Sequence, residues 1–356
     1  MNGVTARKRF EQACIALLMI LALSTLLGYA GAWSWLFDLF AHFRVQYCVL
    51  GACLALALGA LKRPALVALS VLATLANLPP IIPQFVRSAV AAPAASGAAI
   101  KVVSFNVFKH SSQYQRMVQF VRSAAPDVVV LIEVTQAWKP ALDELARDYP
   151  FRWVNVGDDV SGLAVLSRRV PLESQVLDLG GNGVSSLQFT LPDAGGPITF
   201  IATHLSWPLG PGHAAVQNAQ LATLTRLARG HRGAFAIVGD LNVTPYSPRF
   251  QHLLRDGGLR SCADGMGLQG TWPSLVWPLH IQIDHCLTNA DVEASGFSVG
   301  GYLGSDHYPI SVELKVHALA SGRAALSPPA DIPPVSTRRI ASSTPMSSGV
   351  SRSRGR

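Results

Sequence analysis

The first ninety residues carry three long apolar runs and almost no charge, and no other feature limits the fold of this chain so strongly. Cys14–Tyr29, extended by its neighbours on both sides, reads as one membrane helix. Val45–Leu61, bounded by Arg44 and by Lys62-Arg63, holds about 17 residues, near the lower limit for spanning a bilayer. Ala65–Val86 is longer but contains Pro79, Pro80 and Pro83, so its end is expected to be irregular. A cleaved signal peptide also starts with a basic stretch like Arg7-Lys8-Arg9, but a secreted soluble protein has no use for two further apolar runs. Buried core helices would need a polar stripe that these runs lack. Arg7, Lys8 and Arg9 before the first run, and Lys62 and Arg63 before the third, place those ends on the cytoplasmic side. Three crossings would then put everything after Arg87 on the opposite face, the periplasm if the membrane is a bacterial inner membrane. A third run that only dips into the bilayer would leave it in the cytosol.

Composition follows the same division. Hydrophobic residues make up 49% of the chain and charged residues 14%, low for a soluble protein. The net charge of +8 does not belong to the globular part. Residues 100–316 hold 16 Lys and Arg against 18 Asp and Glu, and the other 13 basic residues lie in the N-terminal segment and the C-terminal tail. A protein that grips nucleic-acid backbone usually carries its positive charge on the binding domain, and this one does not. Five cysteines without CxxC spacing exclude a disulfide scaffold and a zinc cluster. Cys14, Cys48 and Cys53 fall in apolar runs as small buried thiols. Cys262 and Cys286 lie in the globular part, where pairing would require proximity and an oxidising compartment.

The pattern changes after a small-residue linker at 91–99, AAPAASGAA. Short β-branched runs are expected as strands at Lys101–Val107, Asp127–Glu133, Gly162–Ser167, Leu187–Leu191, Ile198–His204, Ala234–Asp240, Ile281–Leu287 and Ile310–Leu314. Helical periodicity fits Gln113–Ala124, Ala137–Arg147, Val216–Arg229 and Pro248–Arg255. Many strands with few helices between them imply an α/β (α+β) domain of two packed sheets flanked by helices over residues 100–316, after an N-terminal transmembrane region at 1–90. Beyond Val316 the Pro-, Ser-, Ala- and Arg-rich tail, residues 317–356, lacks apolar periodicity and is expected to be disordered.

Polar residues recur where the apolar strands end. Asn106 ends KVVSFN, Glu133 ends DVVVLIE, and His204 ends ITFIATH. Asp240 and Asn242 end AFAIVGDLN, Asp284 lies in IQIDH, and Asp306-His307 in GSDHYP precede the last strand. One such residue is most simply a solvated loop end; six placements on successive strands indicate a shared site, because α/β folds collect active-site groups at strand C-termini. Glu133, Asp306 and Asn106 are hard oxygen ligands suited to Mg²⁺ or Mn²⁺ rather than zinc. His307 is the natural general base, provided that a carboxylate, Asp284 or Asp240, fixes its tautomer. His204 and Asn242 can donate to phosphoryl oxygens as charge develops. No P-loop, GxSxG elbow or HExxH is present, so nucleotide-fuelled transfer, serine hydrolysis and zinc proteolysis lack their signatures.

The set SFNV, LIEV, GLAVLSR, THL, GDLNVTPYSP, IDH and GSDHYP resembles the endonuclease/exonuclease/phosphatase superfamily, in its order and across residues 100–316. That superfamily includes the pancreatic deoxyribonuclease, AP endonucleases, neutral sphingomyelinases and inositol-polyphosphate phosphatases. The N-terminal apolar runs and the NxTPxS extension after GDLN resemble a bacterial membrane-anchored branch. The resemblance implies a four-layer αββα sandwich of two packed mixed β-sheets. It implies that Glu133 and Asn106 hold the metal with Asp306 near it, and that His307 and Asp284 are the base and its orienter. It gives Asp240 and Asn242 the attacking water and the phosphate, and His204 the transition state. The chain lacks basic DNA-binding loops and a counterpart of the tyrosine that AP endonucleases place between the Glu and GDxN motifs, which weighs against DNA repair but not against phosphoester chemistry.

The expected activity is hydrolysis of a phosphodiester or phosphomonoester on a lipid headgroup, a nucleotide or a nucleic acid, with the bilayer as the other partner and no protein partner called for. A true nuclease and a catalytically silent receptor that keeps only the phosphate pocket are the competing readings. Trp207, Trp272 and Trp277 lie in loops beside the motifs, either covering the core or offering a platform to an apolar or cyclic group.

Overall fold

The computed structural model describes residues 2–86, 98–317 and 337–339. Most of the 91–99 linker and of the tail therefore lies outside the described residues. Four helices come first: α1 (Asn2–Tyr29), the one-turn α2 (Trp35–Asp38), α3 (Arg44–Ala60) and α4 (Pro64–Asn77). Only Val4–Tyr29 is by itself long and apolar enough to cross a membrane among the described residues. Trp35–Ala41 and Arg44–Ala60 pass the same test only as a pair bent by 59°. α4 holds 14 residues, about 21 Å at 1.5 Å per residue, which is short of a bilayer core. Pro64 opens it, and Pro79 after Leu78 disfavours further helix. Among the described residues one helix, or two if the bent pair counts, has the length and composition of a span, so the expectation of three full spans gains no support. The side on which the sandwich lies rested on a third crossing and gains no support from the fold.

α1, α3 and α4 pack through Leu18, Leu21, Leu54, Leu58 and Ala73. The buried Arg44 ties their ends together: its guanidinium lies over the Tyr29 ring and donates to Asn77 Oδ1 at 2.8 Å. The outward faces stay apolar, exposing Leu23, Leu26, Leu56, Leu72 and Leu75.

The chain then runs through β1 (Ile100–Asn106), α5 (Tyr114–Ala124), β2 (Val128–Ile132), α6 (Lys139–Glu144), β3 (Phe151–Asn155), β4 (Leu163–Ser167), β5 (Glu173–Asp178), β6 (Ser185–Leu191) and β7 (Ile198–His204). It continues with α7 (Pro211–Gly230), β8 (Ala234–Asp240), α8 (Pro248–Gly257), β9 (Arg260–Ser261), β10 (Asp284–Thr288), β11 (Val292–Val299), β12 (Ile310–Val316) and the isolated β13 (Thr337–Arg339). One sheet has the order β11-β12-β1-β2-β4-β3 and the other β13-β5-β6-β7-β8-β10-β9. Both are mixed, with a single parallel pair at the centre, β1 with β2 and β7 with β8.

The inner faces meet in one core that includes Val130, Val165, Phe189, Phe200 and Val238. α5 and α6 cover the first sheet through Met117, Val121 and Leu142, and α7 and α8 cover the second through Leu224, Phe250 and Leu253. This is the four-layer αββα sandwich expected from the sequence. The strands absent from the sequence reading, β3, β5, β9, β11 and β13, lie at or next to sheet edges, where half-burial erases the apolar run. β13 pairs with the otherwise open edge of β5, so that part of the tail is extended backbone.

A candidate metal-assisted hydrolytic site

The register of the second sheet assembles one wall of the site. His204 is opposite Asp240 across the parallel pair, and Asp240 is opposite Asp284 across β8 and β10. Three separate motifs thus form one row. Gly239 makes the close approach possible: its φ is +148°, and a Cβ there would overlap the Thr203 carbonyl. Asp240 is buried and accepts from the Asn242 backbone N–H at 2.9 Å through Oδ1. The His204 Nδ1 lies 2.9 Å from the Val160 carbonyl, so Nδ1 carries the hydrogen. In the neutral ring Nε2 is then an acceptor, and Asn242 Nδ2 donates to it at 3.2 Å. His204 can therefore donate from Nε2 to a phosphoryl oxygen only as imidazolium, a condition that residue type alone did not reveal.

The opposite wall comes from the first sheet. Asn106 ends β1 beside Ile132, and Glu133 follows directly. Asn106 Nδ2 donates to Glu133 Oε1 and to Asp240 Oδ2, both at 3.1 Å, so this amide stitches the two sheets together. Its carbonyl oxygen accepts from the Phe108 N–H at 3.1 Å; ligation through Oδ1 would require the amide to turn over. Glu133 has φ +62° and Asn242 φ +51°. Non-glycine residues held in the left-handed region cost on the order of 1–3 kcal/mol and gather at functional sites.

His307 bridges the walls. Its Nδ1 donates to Asp284 Oδ2 at 2.8 Å, which leaves Nε2 facing Asp240 Oδ2 at 3.7 Å. Both His307 and Asp284 are buried. Two of the supports, Thr271 and Ser305, are residues that the sequence did not single out. Thr271 Oγ1 accepts from the Ile283 and Asp284 N–H groups, and Ser305 Oγ donates to the Asn106 carbonyl while accepting from His307 N–H. The Trp272 indole N–H donates to Asp306 Oδ2 at 3.1 Å. Burial alone would lower the pKa of His307, but Asp284 and Asp240 outweigh it and raise the ring to about 10. Burial, reinforced by Asp284, pushes Asp240 up to about 6.

This donor set fits a divalent cation. Asp284 Oδ1 is buried without a hydrogen-bond partner, and Asp240, Asp284 and His307 offer ligand atoms within 4.8 Å of one another. Glu133, Asp240 and Asp306 line one cavity of ≈ 650 Å³ in which Lys109 is the single Lys or Arg among the described lining residues. Carboxylates crowded in this way call for positive charge.

Trp207 and Trp272 line the same cavity, whereas Trp277 is 79% exposed and outside it. The cavity also has a wall that the sequence did not suggest, Leu39, His42 and Phe43 of the N-terminal helical segment. The loop after GDLN holds that segment in place. Thr244 Oγ1 bonds His42 Nδ1 at 2.9 Å, the Tyr246 hydroxyl donates to Gln84 Oε1 at 3.0 Å, and Ser247 Oγ donates to Asp38 at 2.8 Å. The TPYS residues thus attach the helices to the sandwich.

A sandwich with strand-end carboxylates, an Asp–His pair and a cation-compatible cavity is an arrangement suited to metal-assisted hydrolysis. The sequence model described as "Endonuclease/Exonuclease/phosphatase family" matches residues 103–307, and the chain belongs to that family, whose members hydrolyse phosphoesters. Solved structures agree on the fold. A humanized D. rerio TDP2 is 16% identical, with a TM-score of 0.51 over 61% of this chain and 98% of that one. An endonuclease/exonuclease/phosphatase from Beutenbergia cavernae DSM 12333 is 20% identical, with a TM-score of 0.51 over 62% and 72%. The corresponding Bacteroides vulgatus protein is 15% identical, with a TM-score of 0.51 over 62% and 100%. Comparison with curated proteins finds no match.

Proposed function

We propose that this chain is a membrane-anchored, divalent-cation-dependent phosphoesterase that cleaves a phosphodiester or phosphomonoester with an activated water. The observation that carries this reading is the buried His307–Asp284 pair at 2.8 Å, with His307 Nε2 turned toward Asp240 and the cavity. Asp284 holds the Nδ1–H tautomer, so Nε2 can take the proton of the attacking water once the ring is neutral. The water oxygen forms a bond to phosphorus, the ester oxygen leaves with its electron pair, and Asn242 and His204 face the phosphoryl oxygens. Glu133, Asn106 and Asp306 would hold Mg²⁺ or Mn²⁺ as hard oxygen ligands, while the bond from His307 Nδ1 to Asp284 Oδ2 commits that pair to proton transfer. Bound there, the ion would supply positive charge against the surrounding carboxylates and Lewis-acid polarisation of a phosphoryl oxygen; His307 is the residue that takes the proton of the water.

Anchoring is supported by α1 and by the apolar side chains that α3 and α4 turn outward; a water-facing bundle would carry polar residues there. A nuclease is the second reading, since a D. rerio TDP2 structure contains a single-strand DNA product. The near-absence of Lys and Arg from the cavity lining argues against it.

The purified full chain should hydrolyse bis(p-nitrophenyl) phosphate or p-nitrophenyl phosphate with Mg²⁺ or Mn²⁺ and stop after exhaustive chelation. Undiminished turnover in chelator would end the cation assignment, and no turnover of any phosphoester with either ion would end the enzymatic one.

A further inference from the structure

The floor and the mouth of the cavity differ in chemistry. Glu133, His204, Asp240, Asn242, Asp306 and His307 form a polar floor. The apolar part of the lining comes from Leu39 and Phe43 of the helical segment and from Trp207, Pro208 and Leu209 after β7, and the exposure of Trp207 and Leu209 places it toward the mouth. Trp207 and Leu209 are 46% and 65% exposed, although neither is needed to cover the core.

The helical wall is fixed in place. Asp38 accepts from Ser247 Oγ and pairs with Arg249, and His42 bonds Thr244. Gln46 Nε2 donates to the Pro278 and His280 carbonyls at 3.2 and 3.0 Å. Leu39 and Phe43 flank the bend in the pair of helices that together has the composition of a membrane span. The loop that Gln46 grips exposes Leu275, Trp277 and Leu279, and the start of the helical segment exposes Trp33 and Leu36. Exposed apolar side chains therefore occur on the outward faces of the helices, at the start of the segment that lines the cavity and on the loop that Gln46 grips. Isolated exposed apolar side chains are ordinary on a protein surface; a set that borders a cavity marks a binding surface.

We infer that the substrate is a phosphoester carried on an aliphatic chain, with its phosphate at the His307–Asp240 floor and its chain between Leu39 and Phe43 and the Trp207–Leu209 loop. The inference rests on the phosphoesterase reading above and deepens it. Leu39 and Phe43 are specificity-determining residues, and the N-terminal segment is part of the substrate site as well as an anchor. A polynucleotide would instead need several cationic contacts along its backbone, and the lining offers Lys109 alone among the described residues.

The test uses the full chain held in amphipol, so that no detergent competes for the mouth, and a series of ethyl, butyl and octyl p-nitrophenyl phosphates. Each fully buried methylene contributes up to roughly fourfold in binding; at about twofold for each of the six added methylenes of a partly buried chain, kcat/KM should rise on the order of 100-fold from ethyl to octyl. Phe43→Ser and Leu39→Ser should each cut the octyl-to-ethyl ratio about tenfold, while the conservative Phe43→Leu largely retains it. Leu72→Ser, at an exposed position on α4 outside the cavity lining, should leave the ratio unchanged and controls for general damage. A flat series, an unaltered ratio in the serine variants, or faster cleavage of a single-stranded oligonucleotide than of the octyl ester overturns the inference. Cleavage of none of the esters contradicts the phosphoesterase reading itself and removes the inference with it.

Discussion

At the scale of single residues, position matters more than residue type. Glu133 and Asn242 are ordinary side chains in an unusual backbone state, and the left-handed conformation aims both into the cavity. Glu133→Gln keeps size but removes a charge and one of the two acceptors that the Asn106 amide and the Lys109 N–H use. It should raise the Mg²⁺ concentration for half-maximal activity about tenfold or more; an unchanged midpoint would remove Glu133 from the ligand set. His285, next to Asp284, has a different role. It is fully buried against the Phe250 ring, and its Nε2–H donates to the Val243 carbonyl at 2.8 Å. Burial lowers its pKa to about 4. The unfolded chain then binds a proton that the folded chain refuses as pH falls from ~6.5 toward 4, so the stability contribution of His285 is present above ~6.5 and lost through that window. The stability advantage of wild type over His285→Gln should shrink by up to about 3 kcal/mol across it. A pH-independent difference, measured by denaturant titration, would contradict the account.

At the scale of elements, the same reasoning explains what the sequence disclosed. β1, β2, β7 and β8 are buried on both faces and were legible as apolar runs, and the polar residues that close them were legible with them. β5 and β11 alternate imperfectly because they lie at or near edges, and β11 is further disguised by an irregularity between Ser295 and Ser298 at Gly296, φ +63°. The wall formed by Leu39, His42 and Phe43 had no local signal, since its partner Thr244 lies 202 residues away. The TPYS stretch was visible as a motif but not as a latch. Ser247 both caps α8, accepting from Arg249 N–H, and donates to Asp38. Ser247→Ala therefore removes a cap and leaves a buried carboxylate short of a donor, a combined cost of about 2–4 kcal/mol. A thermal shift no larger than that of an exposed Ser→Ala control would show that the latch carries no weight.

At the scale of the whole molecule, neither sheet is sufficient. Asp284 opens β10 in one sheet and His307 leads into β12 of the other, while Asn106 reaches from β1 to Asp240 on β8. The candidate site exists only when the sandwich closes, and its Leu39–Phe43 wall only when the helical segment docks on it. With α1 in place the chain should stay with membranes through a high-salt wash, because its attachment is apolar rather than ionic; release by salt would contradict this. The central claim is that His307 and Asp284 act as one unit on a phosphoester. A double-mutant cycle on kcat/KM tests it most directly, with the cation saturating. His307→Ala and Asp284→Ala should each lower the rate by ~10²–10⁴-fold, and the double variant should be scarcely slower than the worse single one. Losses that multiply in the double variant, or a wild-type rate in either single variant, would contradict the account.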